Sequence, residues 1–347
     1  MLLGPIENEE QAKTLVESII EVTTHPVNYQ GHSILPSSTI GLAVNNSNEF
    51  SINELVKKAD FALYDAKANG RGGYCFYSPD IHEKAMNTRV LAELMERNDI
   101  SDMFKLVYQP YVDLSTEEFV GAEALLRCTH PVCANQSILD VITMLERSGN
   151  IETISKWVIE VAINQLKKWR DTYGVSDDFT MSVNVSAALL RNDSFVEAIL
   201  EIVEESDISG KSLMIEITET TVMEDYTRSR KAMHKLNEVG IEFAMDDFGT
   251  GYSSLLRLKE MPLSLLKIDQ TFVRSMLTNT NDAAIVDASV RLGHAIGMTV
   301  IAEGIETVEE AESLRKLGCE RGQGYYYSMP LPPEEINLGQ PPHRFVA

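Results

Sequence analysis

The sequence predicts an α/β protein: a TIM-like (β/α)8 barrel with one antiparallel strand, preceded by a partial α/β segment. Three observations predict it. From about residue 101, eight short apolar segments alternate with amphipathic helical patterns, the rhythm of a parallel sheet wrapped by helices. The first two segments are joined only by "STEE", Ser115 to Glu118, a link of hairpin length that turns one strand against the rest. Before residue 80 the same strand and helix signals occur on a smaller scale.

The elements follow in order. In "EEQAKTLVESIIEV" Ala12, Leu15, Val16, Ile19 and Ile20 share one helical face. "STIGLAV" reads as a buried strand. A second helix begins at Ser51, where Glu54 completes an S-x-x-E capping box, and Gly70 can end it. "GGYCFYS" reads as the next strand. "SPDIHEKAMNTRVLAELMERN" reads as a helical connector. The barrel segments are "FKLVYQPYVDL", "FVGAEALLR", "FTMSVNVS", "SLMIEITE", "IEFAMDDFG", "LSLLKID", "MTVIAEGIE" and "ERGQGYYYS". Helical patterns such as "ISKWVIEVAINQLKKWRDTYG" lie between most of them. The expected division is 1–78, a partial segment; 79–100, the connector; and 101–347, the barrel.

Composition narrows the function. The 347 residues are 44% hydrophobic and 24% charged, an ordinary globular balance. The net charge of −22 argues against DNA or RNA polymers and against anionic membranes as partners. A phosphate-bearing ligand would then need metal ions or a few placed cations. The N-terminus lacks a basic region and a long apolar run, and no stretch has membrane-helix length, so a cytoplasmic location is expected. The four cysteines, Cys75, Cys128, Cys133 and Cys319, form no C-x-x-C pair and are expected to be reduced, buried thiols.

The chemistry gathers where the apolar segments end. Glu123, Asn184, Glu216 with Glu219, Asp246 with Asp247, Lys267 with Asp269, Glu303 with Glu306, and Gln323 occupy successive ends. In a barrel these ends form the active-site face. Carboxylate and amide oxygens are hard ligands suited to Mg²⁺ or Mn²⁺. Each residue alone could be a rim charge, a cap or a turn residue. Their recurrence at one end of most segments favours a site.

These residues carry a family resemblance. The stretch from about 101 to 340 resembles the EAL domain, the cyclic di-GMP-specific phosphodiesterase family. It contains "YQP" at Tyr108–Pro110, the signature Glu123-Ala124-Leu125, "VNVS", "EITE", "DDFGTGYSSL" from Asp246, "LKID", "AEGIE" and "QGY" followed by "MPLP". "ADFALYDAKANGRG", Ala59 to Gly72, is similar to the C-terminal part of a GGDEF (diguanylate cyclase-like) domain. The Gly-Gly-Asp-Glu-Phe signature is absent from the sequence, so no cyclase activity is expected of it. Whether the chain is a fragment or naturally short stays open, as does a membrane tether upstream of Met1.

The resemblance implies hydrolysis of cyclic di-GMP to linear pGpG with two divalent cations, Mg²⁺ or Mn²⁺. It implies Glu123, Asn184, Glu216 and Asp246 as ligands of one cation, and Asp246, Asp247 and Glu303 as ligands of the other. Lys267 is implied to position or deprotonate the attacking water, and Gln323 to hydrogen-bond near it. Arg127 is implied to hold a substrate phosphate, with Gln109, Leu125 and Asp269 as further contacts. Glu219 is implied to anchor the "FGTGYSSL" loop, and a homodimer is the implied assembly. Departures are Cys128, Ala134 and Ile138 where the family has an aromatic, Gly and Pro, and Ser264 for an Asp; these bear on the substrate rim rather than the ligands. The rival readings are a cyclic di-GMP receptor that binds without cleaving, and a barrel used only as an interaction scaffold. Retention of the implied ligands and lysine favours the enzyme.

Overall fold

The computed structural model describes residues 9–25, 27–29, 32–34, 36–45, 51–68, 72–97, 100–134, 136–186, 188–218, 225–249 and 255–340. The chain forms two compact units, one of residues 1–99 with 130–150, the other of 100–129 with 151–347.

In the first unit α1 (Glu9–Thr23) is followed by a small antiparallel pair, β1 (Val27–Tyr29) and β2 (His32–Ile34), which the sequence patterns had not indicated. Then β3 (Ile40–Leu42), α2 (Ile52–Ala68) and β4 (Tyr74–Phe76) make a strand–helix–strand unit with β3 and β4 parallel. The "STIGLAV" segment supplies only three strand residues, and they are half-buried rather than buried. Gly41 lets α2 lie directly on β3, because a Cβ there would stand 2.1 Å from the backbone nitrogen of Leu63. The Ser51–Glu54 box forms as read: the Ser51 N–H donates to Glu54 at 2.8 Å and the Glu54 N–H to Ser51 at 3.3 Å. Gly70 lies outside the described residues. Helix α3 (Pro79–Met95) starts on the Ser78 cap, and Lys84 on it pairs with Asp140 at 2.7 Å. Asp140 belongs to the first turn of a helix in residues 130–150.

The second unit opens with a single helical turn, α4 (Ile100–Met103). Eight strands then close a barrel: β5 (Phe104–Asp113), β6 (Phe119–Cys128), β7 (Thr180–Asn184), β8 (Leu213–Thr218), β9 (Glu242–Phe248), β10 (Leu265–Ile268), β11 (Thr299–Ala302) and β12 (Arg321–Gly322). Strand β5 runs antiparallel to both neighbours, β6 and β12, and every other pairing is parallel. The hairpin reading of "STEE" and the barrel reading of the eight segments therefore hold. Between β6 and β7 come α5 (Ile138–Ser148), which clusters with the first unit, and α6 (Ile151–Tyr173). Later helices are α7 (Asp193–Glu205), α8 (Tyr226–Asn237), α9 (Leu255–Glu260), α10 (Gln270–Ser275), α11 (Thr280–Ala295) and α12 (Val308–Leu317). The main core lies between strands and helices: Ile159, Ile163 and Leu166, at helical spacing on α6, are fully buried there.

Inside the barrel is a second, smaller apolar layer of Tyr111, Met214, Ala244, Leu265 and Ile301. Tyr111 fits because its partner on β6 is Gly121; a Cβ there would fall 2.1 Å from the phenol ring. This layer closes the barrel beneath the strand ends.

Cys75 and Cys319 are free, whereas Cys128 and Cys133 are disulfide-bonded. That corrects the expectation of four reduced thiols. Cys128 ends β6, and Cys133 ends the short 3₁₀ turn Pro131–Cys133.

Candidate active site

Alternation along each strand builds the site. Residues two apart share a strand face. Two positions beyond Met214, Ala244, Leu265 and Ile301 stand Glu216, Asp246, Lys267 and Glu303. Two beyond Gly121 stands Glu123, and on antiparallel β5 Gln109 lies two before Tyr111. Asn184 is level with Glu216 in the β7–β8 register.

Lys267 is the centre of this layer. It is 1% exposed. Its ammonium reaches Glu216, Glu303 at 2.6 Å, Asp246 at 3.2 Å and Glu123 at 3.6 Å. Burial works to lower the Lys267 pKa. The charges of Asp246, Glu123, Glu216 and Glu303 outweigh it and hold the ammonium well above the ordinary lysine value. That direction suits a fixed cation and opposes a general base.

One ammonium does not neutralise four carboxylates. Burial, then the Glu123 charge, pushes Glu216 well above the ordinary carboxyl value, with Lys267 offsetting part. Burial pushes Glu303 up to about 8, against Lys267 and with help from Asp246 and Glu123. Asp247 rises to about 6, first through burial and then through Asp246 and Asp269.

Asp246, Asp247 and Glu303 each offer a carboxylate oxygen, and these oxygens lie within 4.8 Å of one another. Adjacent strand residues ordinarily face opposite ways. Asp247 escapes that rule by taking a left-handed backbone, φ 54°, one that aspartate tolerates better than most residues. Its N–H then donates to Asp246 Oδ1 at 3.0 Å. Gly249 follows at φ 101°, packed on the Phe272 ring.

Glu123, Asn184 and Glu216 are gathered differently. Asn184 Nδ2 donates to Glu123 Oε1 at 2.6 Å, Gln323 Nε2 donates to Glu123 Oε2 at 2.9 Å, and Lys267 bridges Glu123 to Glu216. The excess of buried carboxylates and their hard oxygen donors fit divalent cations of the Mg²⁺ class.

Other implied residues stand nearby or apart. Gln109 Nε2 donates to the Ser328 carbonyl at 3.0 Å. Leu125 and Arg127 share the Glu123 face of β6 by alternation, and Arg127 Nη1 donates to the Leu126 carbonyl at 2.9 Å. Asp269 caps α10, accepting from the N–H of Thr271 at 2.9 Å and from its hydroxyl. The D-x-T spacing was the available signal for that cap. Glu219 and residues 250–254 of the loop motif lie outside the described residues.

Comparisons with known proteins give the family and the fold. The model of the EAL domain family matches residues 92–330. The chain belongs to the EAL domain family. EAL domains are in general divalent-metal-dependent cyclic di-GMP phosphodiesterases. A diguanylate cyclase GGDEF domain model matches residues 1–73. Curated relatives of this EAL chain include the bifunctional diguanylate cyclase/cyclic di-GMP phosphodiesterase MucR of Pseudomonas aeruginosa, 34% identical over 341 residues, covering 97% of the chain and 49% of MucR. The oxygen sensor protein DosP of Escherichia coli is 36% identical over 285 residues, covering 81% of the chain and 35% of DosP. The chain thus spans about half the length of such relatives, or less. Among solved EAL structures, the MucR phosphodiesterase in complex with c-di-GMP superposes with a TM-score of 0.65 at 34% identity, over 72% of this chain and 99% of that one. The EAL enzyme Bd1971 in a cAMP- and cyclic-di-GMP-bound form gives 0.67 at 32% identity, over 74% and 68%. Among the described residues no helix is long and apolar enough to cross a membrane.

Proposed function

We propose that the chain hydrolyses cyclic di-GMP to linear pGpG with two divalent cations, Mg²⁺ or Mn²⁺. The observation that carries this reading is the buried Lys267 ringed by Glu123, Glu216, Asp246 and Glu303, beside the Asp246–Asp247–Glu303 oxygen cluster. Glu123, Asn184, Glu216 and Asp246 would hold one cation, and Asp246, Asp247 and Glu303 the other. Bound there, such ions lower the pKa of a water and offset phosphate charge. The protein's own residues do the rest. Lys267, held charged, fixes the carboxylates in register and stabilises negative charge gathering at the phosphate. Gln323 orients a proton-bearing group near Glu123. Arg127 offers a planar fork to a phosphate, for which one Nη remains beyond its bond to Leu126. The apolar layer beneath keeps bulk water from entering through the barrel.

The test is direct. Purified protein is incubated with cyclic di-GMP and Mg²⁺ or Mn²⁺, and pGpG is followed. Release of pGpG supports the reading; tight binding without product would replace it with the receptor reading. Glu123→Ala should abolish cleavage. We also infer a cytoplasmic homodimer whose catalytic barrel occupies 101–347; sedimentation showing only monomer with full activity would overturn the dimer.

A further inference from the structure

Resemblance places Gln109 against substrate or water, and its hydrogen bonds describe a further role. The segment after β12 is fastened to β5 by an antiparallel bridge: Tyr108 N donates to the Leu331 carbonyl at 2.8 Å and Leu331 N to the Tyr108 carbonyl at 2.9 Å. The Ser328 N–H donates to the Gly324 carbonyl at 3.0 Å, which holds the same segment from the other side. The Ser328 carbonyl is therefore a fixed acceptor beside Gln109.

A carbonyl only accepts. Gln109 must turn its NH₂ toward Ser328, at 3.0 Å, and this leaves its Oε1 facing Gln323. Gln323 must answer with its own NH₂, at 3.3 Å. The same NH₂ donates to Glu123 Oε2 at 2.9 Å. Two acceptors thus fix which way the Gln323 amide faces. Its Oε1 is left buried and, among the described residues, without a hydrogen-bond partner, in a residue only 3% exposed. A buried acceptor in that condition calls for a donor. A water or hydroxyl O–H beside Glu123 would supply one.

We propose that Gln109 is a positioning residue that relays the fixed Ser328 carbonyl to Gln323, so that Gln323 presents Oε1 to the proton of the attacking water. The relay rests on the phosphodiesterase reading.

The experiment has two arms on the full chain. In protein labelled with ¹⁵N-glutamine, the Gln323 side-chain NH₂ signal is assigned by its loss in Gln323→Met. Gln109→Met, and independently Gln109→Glu, should shift that signal and speed its exchange with water by about tenfold or more, as expected of a lost buried hydrogen bond. In kinetics, Gln109→Met should lower kcat by about tenfold with KM within about twofold, a transition-state effect. The Gln109→Met/Gln323→Met double variant should be no slower than Gln323→Met alone, the signature of residues acting in series. A Gln323 signal that stays in place, or a raised KM with multiplicative losses in the double variant, would overturn the relay. If the wild-type chain releases no pGpG, the function reading fails while the NMR arm still decides whether Gln109 orients Gln323.

Discussion

Two layers of the same barrel, one strand step apart, have opposite chemistry. The lower holds Tyr111, Met214, Ala244, Leu265 and Ile301, all buried and apolar in packing. The upper holds Glu216, Asp246, Lys267 and Glu303 on the same strands. Two residues of strand rise, roughly 6.6 Å, separate them. The lower layer is stabilised by shape, since Gly121 makes room for the Tyr111 ring. The upper is stabilised by charge balance, and one cation leaves that balance incomplete. The lower layer can therefore be complete without any ligand, whereas the upper calls for one.

Removing Lys267 should break the upper layer most severely. Lys267→Ala leaves its carboxylates without their cation, and metal-free protein should lose about 3–5 kcal/mol. Turnover should vanish as well. Urea denaturation with and without Mg²⁺ checks this, and added Mg²⁺ should restore part of the loss. Gly121→Ala attacks the lower layer instead. Its Cβ would press on the Tyr111 ring and should cost about 1–3 kcal/mol by overpacking, read by the same denaturation.

The pH response separates the layers without mutation. Glu303, raised to about 8, and Asp247, raised to about 6, hold protons in the folded metal-free chain that the unfolded chain has lost. The folded state binds more protons between each unfolded value and each folded one, so stability falls as pH rises through that window. Metal-free protein should melt at progressively lower temperature from about pH 5 to 8. The gain from Mg²⁺ should be larger at pH 8 than at pH 6, because deprotonated carboxylates bind it better. A flat melting profile would count against the charge-balance account. The smallest effect is expected from Met214→Leu, a swap of similar volume in the lower layer. It should cost less than about 1.5 kcal/mol and leave kcat unchanged.

The upper layer was legible in the sequence because each apolar run stops at a polar residue, and strand periodicity carries that position to one end of the barrel. Glu123, Glu216, Asp246 and Glu303 were found in this way. The convergence of four carboxylates on Lys267 was not legible, since barrel closure brings together residues from 123 to 303. The lower layer was hidden for the opposite reason: Met214 or Leu265 looks like any core residue until the barrel closes. The antiparallel β5 was legible from one four-residue link, while the three-residue strands β1 and β2 gave too short a period to stand out. Asp269 as a site contact was implied by the resemblance alone; that it also caps a helix through Thr271, while its charge reaches Asp247, shows in the folded chain.

The backbone at Asp247 has a consequence of its own. Its carboxylate joins Asp246 and Glu303 through the left-handed turn at that residue. Rotation to an extended torsion would send the side chain to the opposite side of the strand, at a cost or gain of only about 1–2 kcal/mol. One of the three carboxylates of the oxygen cage thus hangs on one rotatable bond. Whatever presses on that bond could take the cage apart while every strand of the barrel stays where it is.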